Sequence, residues 1–170
     1  MLLGGLHDLC DTTHWDRALV HYVPFIGADY FHGLWRGVRL LLVGESHYEE
    51  SGLTLAQSRA YTLSCFGQFG DLGSDLAKDS TFFRRIGDLP TLNEGASRVE
   101  IAEAWKRVAF TNFLQGSVGD KAADRPKAEC WGRGEPALTE IIGRLRPHAV
   151  LFVSKLVWNQ VQYGRYVEGV

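Results

Sequence analysis

The chain has 170 residues, of which 45% are apolar and 22% charged, and its formal net charge at pH 7 is −2. This composition is that of an ordinary globular protein and excludes a disordered or fibrous chain. The slightly acidic balance argues against a strong general attraction to nucleic acid. Because a chain of this length can bury a hydrophobic core, we expect a single domain over residues 1–170, with an N-terminal helical and aromatic segment at 1–36 and an α/β core at 37–170.

Two further features bear on where the protein resides. Apolar runs such as residues 40–43 are far shorter than the ~20 residues that a membrane-spanning helix needs, and the N-terminus lacks the regions of a signal peptide. The cysteines Cys10, Cys65 and Cys130 are odd in number and have no CxxC spacing. We therefore expect reduced thiols, no zinc site, no cofactor, and a cytoplasmic protein without a membrane partner.

Hydrophobic periodicity predicts the first elements. Residues 11–13 are a plausible helix start, and Trp15, Leu19 and Tyr22 then recur at helical spacing, which predicts an N-terminal helix that ends before the proline at position 24. Residues 24–37 are rich in aromatics and glycine, and we expect an irregular packed segment there. Residues 38–43 are continuously apolar apart from one arginine, which is the pattern of a strand buried on both faces of a parallel sheet.

Helices and strands alternate over the rest of the chain. Helices are predicted at residues 51–69, 79–86, 97–105, 136–145 and 156–161, and two further strands at residues 107–113 and 149–153. Ser97 and Glu100 have the spacing of a capping box at the start of the helix at 97–105. Strands that alternate with helices of this length predict βαβ crossovers. The expected fold class is therefore α/β, a three-layer α/β/α sandwich with a central, mainly parallel sheet of about four strands.

The residues that follow each predicted strand are the candidates for function, because ligands of open parallel sheets bind beyond the carboxyl ends of the strands. Residues 44–48 read GESHY, Asn112 and Phe113 end the second strand, and Ser154 and Lys155 follow the third. Asn112, Phe113 and Lys155 are candidate binding residues. The asparagine offers a donor and an acceptor, as the edge of a pyrimidine requires; the alternatives are an ordinary turn asparagine and a core phenylalanine.

The loop after the first strand contains the largest group of candidate functional side chains. Glu45, Ser46 and His47 are the candidate catalytic residues, because a carboxylate, a hydroxyl and an imidazole together can position water and transfer a proton. Gly44 and Tyr48 are candidate substrate-binding residues, the tyrosine by stacking on a planar ligand. The alternative is a structural loop in which the glycine makes the turn, the glutamate caps a helix, and the two rings pack locally.

Three histidines recur near the N-terminus. His7, His14 and His21 are seven residues apart, which makes a metal site conceivable. Ligands on one helix normally lie one turn apart rather than two. A surface or core-facing stripe is the favoured interpretation, and we predict no metal site.

The motifs VRLLLVGESHYEE, WKRVAFTNFLQ and RPHAVLFVSKLVW resemble the uracil-DNA glycosylase superfamily over roughly residues 37–160, most closely a branch with a GESHY-type first motif. In that superfamily the first loop positions water against the sugar of a flipped nucleotide. The resemblance implies that Glu45 matches the acidic position of a GEAPG motif. It also implies that Asn112 matches the asparagine that reads uracil, and that Tyr48 matches the residue that closes the pocket.

The chain departs from this pattern at two places. Ser46 and His47 stand where the GQDP branch has Asp and Pro. The superfamily's late histidine before Pro-Ser, which stabilises the departing base, is absent from the sequence, and a last strand is expected to begin only at residues 166–167. A truncated C-terminus is therefore one expectation, with His47 as the substitute for the late histidine.

Three functions remain open from the sequence. The first is a glycosylase-like enzyme that hydrolyses the N-glycosidic bond of a damaged or modified nucleobase, with single-stranded or damaged DNA, or a free nucleobase or nucleotide, as its partner. The second is a catalytically inactive nucleic-acid- or nucleotide-binding module of the same fold. The third is an esterase-like hydrolase that uses Ser46 as its nucleophile.

Overall fold

The structure is a computed structural model, and it describes residues 14–48, 53–70, 86–119 and 124–161. The strands in this part of the chain are β1 (Phe25–Ile26), β2 (Leu40–Gly44), β3 (Val108–Asn112) and β4 (Ala149–Phe152). The α-helices are α1 (Leu55–Arg59), α2 (Tyr61–Gly70), α3 (Arg98–Trp105), α4 (Ala128–Trp131), α5 (Gly134–Leu145) and α6 (Lys155–Gln160). Short 3₁₀ helices cover Tyr30–His32, Trp35–Gly37 and Leu89–Thr91.

The four strands form one open sheet in the order β1-β3-β2-β4. β2 pairs in parallel with β3 on one side and with β4 on the other, and β1 pairs antiparallel to β3. In this register Gly44 lies opposite Asn112, and Val43 lies opposite Phe152. The carboxyl ends of β2, β3 and β4 therefore meet at one edge of a mixed α/β fold.

The sheet has a hydrophobic cluster on each face. Leu41 and Val43 of β2 belong to one cluster, and Leu40 and Leu42 to the other, because successive side chains of a strand point to opposite faces. On the first face α5 contributes four buried residues at helical spacing: Ala137, Leu138, Ile141 and Leu145. On the second face α3 contributes Ala104 and Trp105. β2 is buried along its whole length, as its sequence predicts.

The predicted N-terminal helix is wrong over the described residues, and its first residues, 11–13, lie outside them. Residues 14–23 contain a single turn, in which the backbone N–H groups of Leu19 and Val20 donate to the carbonyl of Asp16. The next two N–H groups, of His21 and Tyr22, donate to Gln115 Oε1 at 2.9 and 3.1 Å. The Gln115 side chain thus takes the place of the backbone carbonyls that would accept these bonds in a helix. Trp15 and Tyr22 are nevertheless buried, as their apolar spacing suggests.

The fourth strand comes from an unexpected place. Residues 24–37 were expected to be irregular, and the structure has β1 there, with Phe25 opposite Phe110 and Ile26 opposite Ala109. A two-residue strand is too short to produce a periodic pattern, and its pairing partner is far away in sequence. The strand expected at residues 166–167 lies outside the described residues. The fourth strand that the structure describes is instead β1, which is N-terminal and antiparallel to β3.

The other predicted elements are found with adjusted limits. The strands at 107–113 and 149–153 are confirmed as β3 and β4, and the helices at 97–105, 136–145 and 156–161 as α3, α5 and α6. The helix predicted at 51–69 is two helices that meet at Ala60, and residues 51–52 lie outside the description. The helix predicted at 79–86 also lies outside it, except for the buried Ile86. None of the helices in the described ranges is long and apolar enough to cross a bilayer.

Replacement of Ser97 by Ala should destabilise the protein measurably. Ser97 begins α3 with a complete capping box, in which its hydroxyl accepts from the Glu100 N–H at 3.3 Å and its own N–H donates to Glu100 Oε2 at 2.8 Å. Loss of such a cap typically costs about 0.5–2 kcal/mol. Urea unfolding of Ser97→Ala should show this decrease, and the exposed Val99→Ala on the same helix serves as the control. Equal midpoints for the two variants would contradict the assigned role.

Candidate functional site

The loops that follow β2 and β3 run side by side at the carboxyl edge of the sheet. The backbone N–H of Phe113 donates to the Gly44 carbonyl at 3.0 Å, and the N–H of Leu114 donates to the Glu45 carbonyl at 2.9 Å. Farther along, His47 forms an isolated parallel bridge with Ser117. These bonds extend the strand pairing beyond the sheet and bring the GESHY loop next to Asn112, as the strand-end argument predicts.

Glu45 is held by a residue that follows β4. Ser154 Oγ donates to Glu45 Oε2 at 2.8 Å, and the same hydroxyl accepts from the Val157 N–H at 3.4 Å as the N-cap of α6. Both side chains are half-buried. Among the described residues, no donor reaches the other carboxylate oxygen of Glu45. Glu45 is therefore oriented through one of its carboxylate oxygens.

Asn112 lies almost buried between β2 and the GESHY loop, with 5% of its surface exposed. Its Nδ2 donates to the Ser46 carbonyl at 2.9 Å and lies 3.2 Å from His47 Nδ1. Gly44 makes this approach possible, because a Cβ atom at position 44 would overlap Asn112 Oδ1 and crowd the ring of Phe110. Gly44 is thus required here for close packing rather than for a special backbone angle.

His47 is buried, and both of its ring nitrogens have partners. Nδ1 faces the Asn112 amide, and Nε2 lies 2.9 Å from Thr62 Oγ1. Because the amide NH₂ can only donate, Nδ1 must accept, so the proton is on Nε2 and is donated to Thr62. The ring also lies 4.4 Å from that of Tyr22 and 5.3 Å from that of Tyr61, measured between centroids.

The surroundings of His47 disfavour its charged form. Burial, together with the neighbouring His21, lowers the pKa of His47 to about 3. The ring is therefore neutral at physiological pH. A neutral ring agrees with the tautomer that the hydrogen bonds require. The role of the imidazole is therefore structural: it connects Asn112 to Thr62 of α2.

The free energy of unfolding should fall as the pH drops below about 6.5. Histidine in an unfolded chain has a pKa near 6.5, and folded His47 has a pKa of about 3, so the unfolded state binds more protons between these values. The stabilisation by neutral His47 is complete above this window and is lost toward its acid end, at up to ~1.4 kcal/mol per pH unit. Urea unfolding between about pH 4 and 7.5 measures this slope.

Two variants separate the contribution of His47 from that of other groups. His47→Gln removes the buried imidazole and should flatten the pH dependence. His32→Gln should leave it unchanged, because the His32 side chain is 77% exposed. If His47→Gln kept the full slope of the original protein, the low pKa of His47 would be contradicted.

The other predicted site residues are not all brought together. Tyr48 is half-buried, and its carbonyl accepts from the Tyr61 hydroxyl at 2.8 Å. Ser46 is half-buried and contributes its carbonyl to Asn112. Lys155 is exposed at the start of α6. Phe113 is a core residue, 3% exposed, so it offers little surface for stacking.

A groove of about 650 Å³ lies beside Phe113, between α4, α5 and the end of α6. Trp131 lines it, with its ring 6.0 Å from that of Phe113, together with Leu19, Glu135 and Gln160. Gly134 packs directly on the Phe113 ring, where a Cβ atom would overlap it. No pattern in the sequence predicts a role for Trp131, because its place depends on the contact of α4 with Phe113.

The residues that support the site were only partly visible in the sequence. Ser154 follows the third predicted strand, but no pattern in the sequence predicts its hydrogen bond to Glu45. Thr62 and Tyr61, at the start of α2, contact His47 and the Tyr48 carbonyl and carry no motif. Gln115 connects Asn112 to residues 21 and 22. Thr62, Tyr61 and Gln115 are identified as part of the site only by their contacts with the GESHY loop and Asn112 in the folded protein.

The structure bears on the histidine stripe as well. His7 lies outside the described residues, and His21 Nε2 is bonded to Ser58 Oγ at 2.7 Å. No group of three His, Cys, Asp or Glu side chains within the described ranges could hold a metal ion. Cys65 and Cys130 are free thiols.

Comparison with protein-family models, with curated proteins and with solved structures finds no match to this chain. The fold and the site therefore define the class of protein by themselves. It is a mixed α/β protein with a four-stranded open sheet, and the carboxylate of Glu45 and the amide of Asn112 both lie at the carboxyl edge of its parallel strands.

Proposed function

We propose that the protein binds a nucleobase at this edge of the sheet and hydrolyses its N-glycosidic bond, as a uracil-DNA glycosylase-like enzyme with a three-layer α/β/α sandwich. The observation that carries the proposal is the placement of Glu45. Ser154 holds one oxygen of its carboxylate, and the other faces no described donor, in the loop that accepts a hydrogen bond from Asn112 at the end of β3. A carboxylate oriented in this way can align a water molecule for attack.

In the proposed reaction Glu45 accepts a proton from water as the water oxygen attacks C1′ of the sugar. The bond from C1′ to the base breaks, and the base departs with the bonding electron pair. The proton taken by Glu45 is then returned through solvent to the base. The partner is DNA, single-stranded or damaged, or a free nucleotide, since a base must leave a stack to reach such a pocket. A cytoplasmic location belongs to the same proposal and agrees with the free thiols.

We assign His47 and Ser46 to the shape of the site in this proposal. Both ring nitrogens of His47 are bonded within the protein, so the ring offers no free base at neutral pH. The Ser46 hydroxyl has no hydrogen bond to any residue in the described ranges, and His47 is not available to activate it. The esterase alternative, which needs an activated Ser46, therefore gains no support from the geometry.

A binding module without turnover is the second candidate. It is favoured by one observation: the only N–H of the neutral His47 ring is donated to Thr62. The ring therefore has no N–H to offer to a departing base anion, and one preorganised donor of this kind is typically worth about 10²–10³ in rate. In this case the same edge holds a base or an abasic site without cleaving the bond.

The test is release of free base from uracil-containing DNA, single-stranded and double-stranded, followed by chromatography. The hydrolase proposal expects release that grows with time and that is about 10²–10⁴-fold slower in Glu45→Gln. If neither protein releases base above the blank, the hydrolase proposal fails. Binding of both proteins to abasic-site DNA at low salt would then favour the binding module, and no binding would exclude both.

A further inference from the structure

We propose that the groove beside Phe113 binds a small organic ammonium ion, a molecule that carries a positively charged amine on an apolar body. The groove has a volume of about 650 Å³, which lies within the range of roughly 300–1,000 Å³ that small-molecule sites occupy in proteins. No residue of the GESHY loop lines it, and neither does Asn112. The inference therefore goes beyond the proposed base site and does not depend on it.

The apolar part of the groove is aromatic. The rings of Phe113 and Trp131 lie 6.0 Å apart between centroids, with their planes inclined by 41°. Gly134 packs directly on the Phe113 ring and keeps it in place. Trp131 is half-buried, so part of its ring stays accessible, and Leu19 and Pro136 add aliphatic surface. An apolar group of a ligand therefore loses its contact with water when it lies against these side chains.

The charged part of the groove is negative. Glu135 and Glu140 of α5 line it, and no Lys, Arg or His side chain of the described ranges does so. The uncharged Thr139 lies between the two glutamates in sequence and lines the groove as well. Glu140 also accepts from Arg144 Nε on the next turn of α5, which balances part of its charge. The lining residues that the structure describes thus combine two carboxylates with an aromatic surface and contribute no cation.

This arrangement follows from the geometry of α5. Its buried face carries Ala137, Leu138, Ile141 and Leu145. Glu135 and Thr139 are one helical turn apart and belong to the neighbouring stripe of the helix surface. Because α4 ends at Trp131, directly before α5 begins at Gly134, the indole ring and this polar stripe line the same groove.

The charge of the ligand follows from these two kinds of group. The face of a tryptophan ring attracts a cation that lies within about 6 Å of its centroid. A carboxylate binds an ammonium group through charge-assisted hydrogen bonds, which are stronger than neutral ones. A neutral ligand of the same shape gains only the apolar contact, and an anionic ligand is repelled by both glutamates. The groove therefore favours an organic cation over its neutral and anionic analogues.

The experiment compares three small molecules that share a phenyl ring and a short alkyl chain and differ in charge: 2-phenylethylamine, 2-phenylethanol and 3-phenylpropionate. Binding to the intact protein is followed by NMR titration of the Trp131 indole N–H signal, which is assigned by its loss in Trp131→Phe. The amine, a cation at neutral pH, should bind roughly tenfold more tightly than the alcohol, as a hydrogen bond to a charged group requires. The carboxylate should give no saturable shift, and high salt should reduce the advantage of the amine.

Glu135→Gln tests the source of this preference, because it keeps the shape of the side chain and removes its charge. The ratio of the two affinities should fall toward one, while the affinity for 2-phenylethanol stays unchanged. Glu129→Gln is the matched control, since Glu129 is exposed on α4 and does not line the groove. It should keep the full preference for the amine.

Three results would overturn the inference. Equal affinity of the original protein for the amine and the alcohol would contradict the cationic class of the ligand. Absence of a saturable shift of the Trp131 signal with either compound would contradict the site itself. A preference for the amine that survives in the double variant Glu135→Gln/Glu140→Gln, whose remaining indole signals match those of the original protein, would show that the carboxylates do not recognise the cation.

Discussion

Glu45→Gln is expected to lower the rate of base release by a factor of about 10²–10⁴, the range that a positioned general base contributes. Glutamine has nearly the same shape as glutamate and can still accept from Ser154 Oγ, which lies 2.8 Å from Glu45 Oε2. The fold and the position of the side chain should therefore persist. What is lost is the ability to take a proton from the attacking water, which a neutral amide does not have.

The measurement is the single-turnover rate of base release from DNA at saturating protein. Ser154→Ala should lower this rate by less, roughly tenfold, because the carboxylate remains and only its orientation is lost. Glu94→Gln, at an exposed position outside the site, is the control for a change of one charge. A rate for Glu45→Gln equal to that of the Glu94 variant would remove Glu45 from the reaction.

Trp105→Ala is expected to lower the free energy of unfolding by about 3–5 kcal/mol, as truncation of a large buried aromatic does. Trp105 is 2% exposed at the end of α3 and packs near Phe25 and Phe110, at 6.2 and 6.5 Å between ring centroids. Its Nε1 donates to the Gly87 carbonyl at 2.8 Å. Truncation therefore leaves both a cavity on the face of the sheet beside Phe25 and Phe110 and an acceptor, the Gly87 carbonyl, without its donor.

Urea unfolding at neutral pH measures this change, and the slope against urea shows whether unfolding stays cooperative. Trp35→Ala is the matched control, since that ring is 42% exposed in the segment before β2. It should cost well under half as much. If both variants lost the same stability, Trp105 would not be the centre of the cluster on this face of the sheet. Trp105→Phe should lie between them, since it fills part of the volume but lacks the donor.

Several parts of the fold could be predicted because they depend on neighbouring residues. The apolar run of β2 predicts a strand buried on both faces, and all five of its residues are buried. Ser97 and Glu100 predict the start of α3, because a capping box is formed within one turn. The edge where Glu45, Asn112 and Ser154 meet also follows from the sequence, since the ends of parallel strands lie together once the order of elements is known.

Other parts could not be predicted, because their hydrogen bonds connect distant residues. Gln115 accepts from the backbone of His21, 94 residues away in sequence, and this bond replaces the helix that the apolar spacing predicted. β4 has an apolar sequence like that of β2, yet Leu151 is 41% exposed, because β4 lies at the edge of the sheet. The spacing of apolar residues predicts which faces of a strand or helix are apolar. It does not predict which strand lies at the centre of the sheet.

The sequence by itself determined the α/β class, the strands β2, β3 and β4, and the edge at which the candidate residues gather, because local spacing and turn chemistry encode these features. Only the tertiary structure decided what each candidate residue contacts. It paired Glu45 with Ser154, 109 positions later, and it enclosed His47 between Asn112 and Thr62. Protonation and orientation of a side chain depend on burial and on its partners, which are fixed only when the chain is folded.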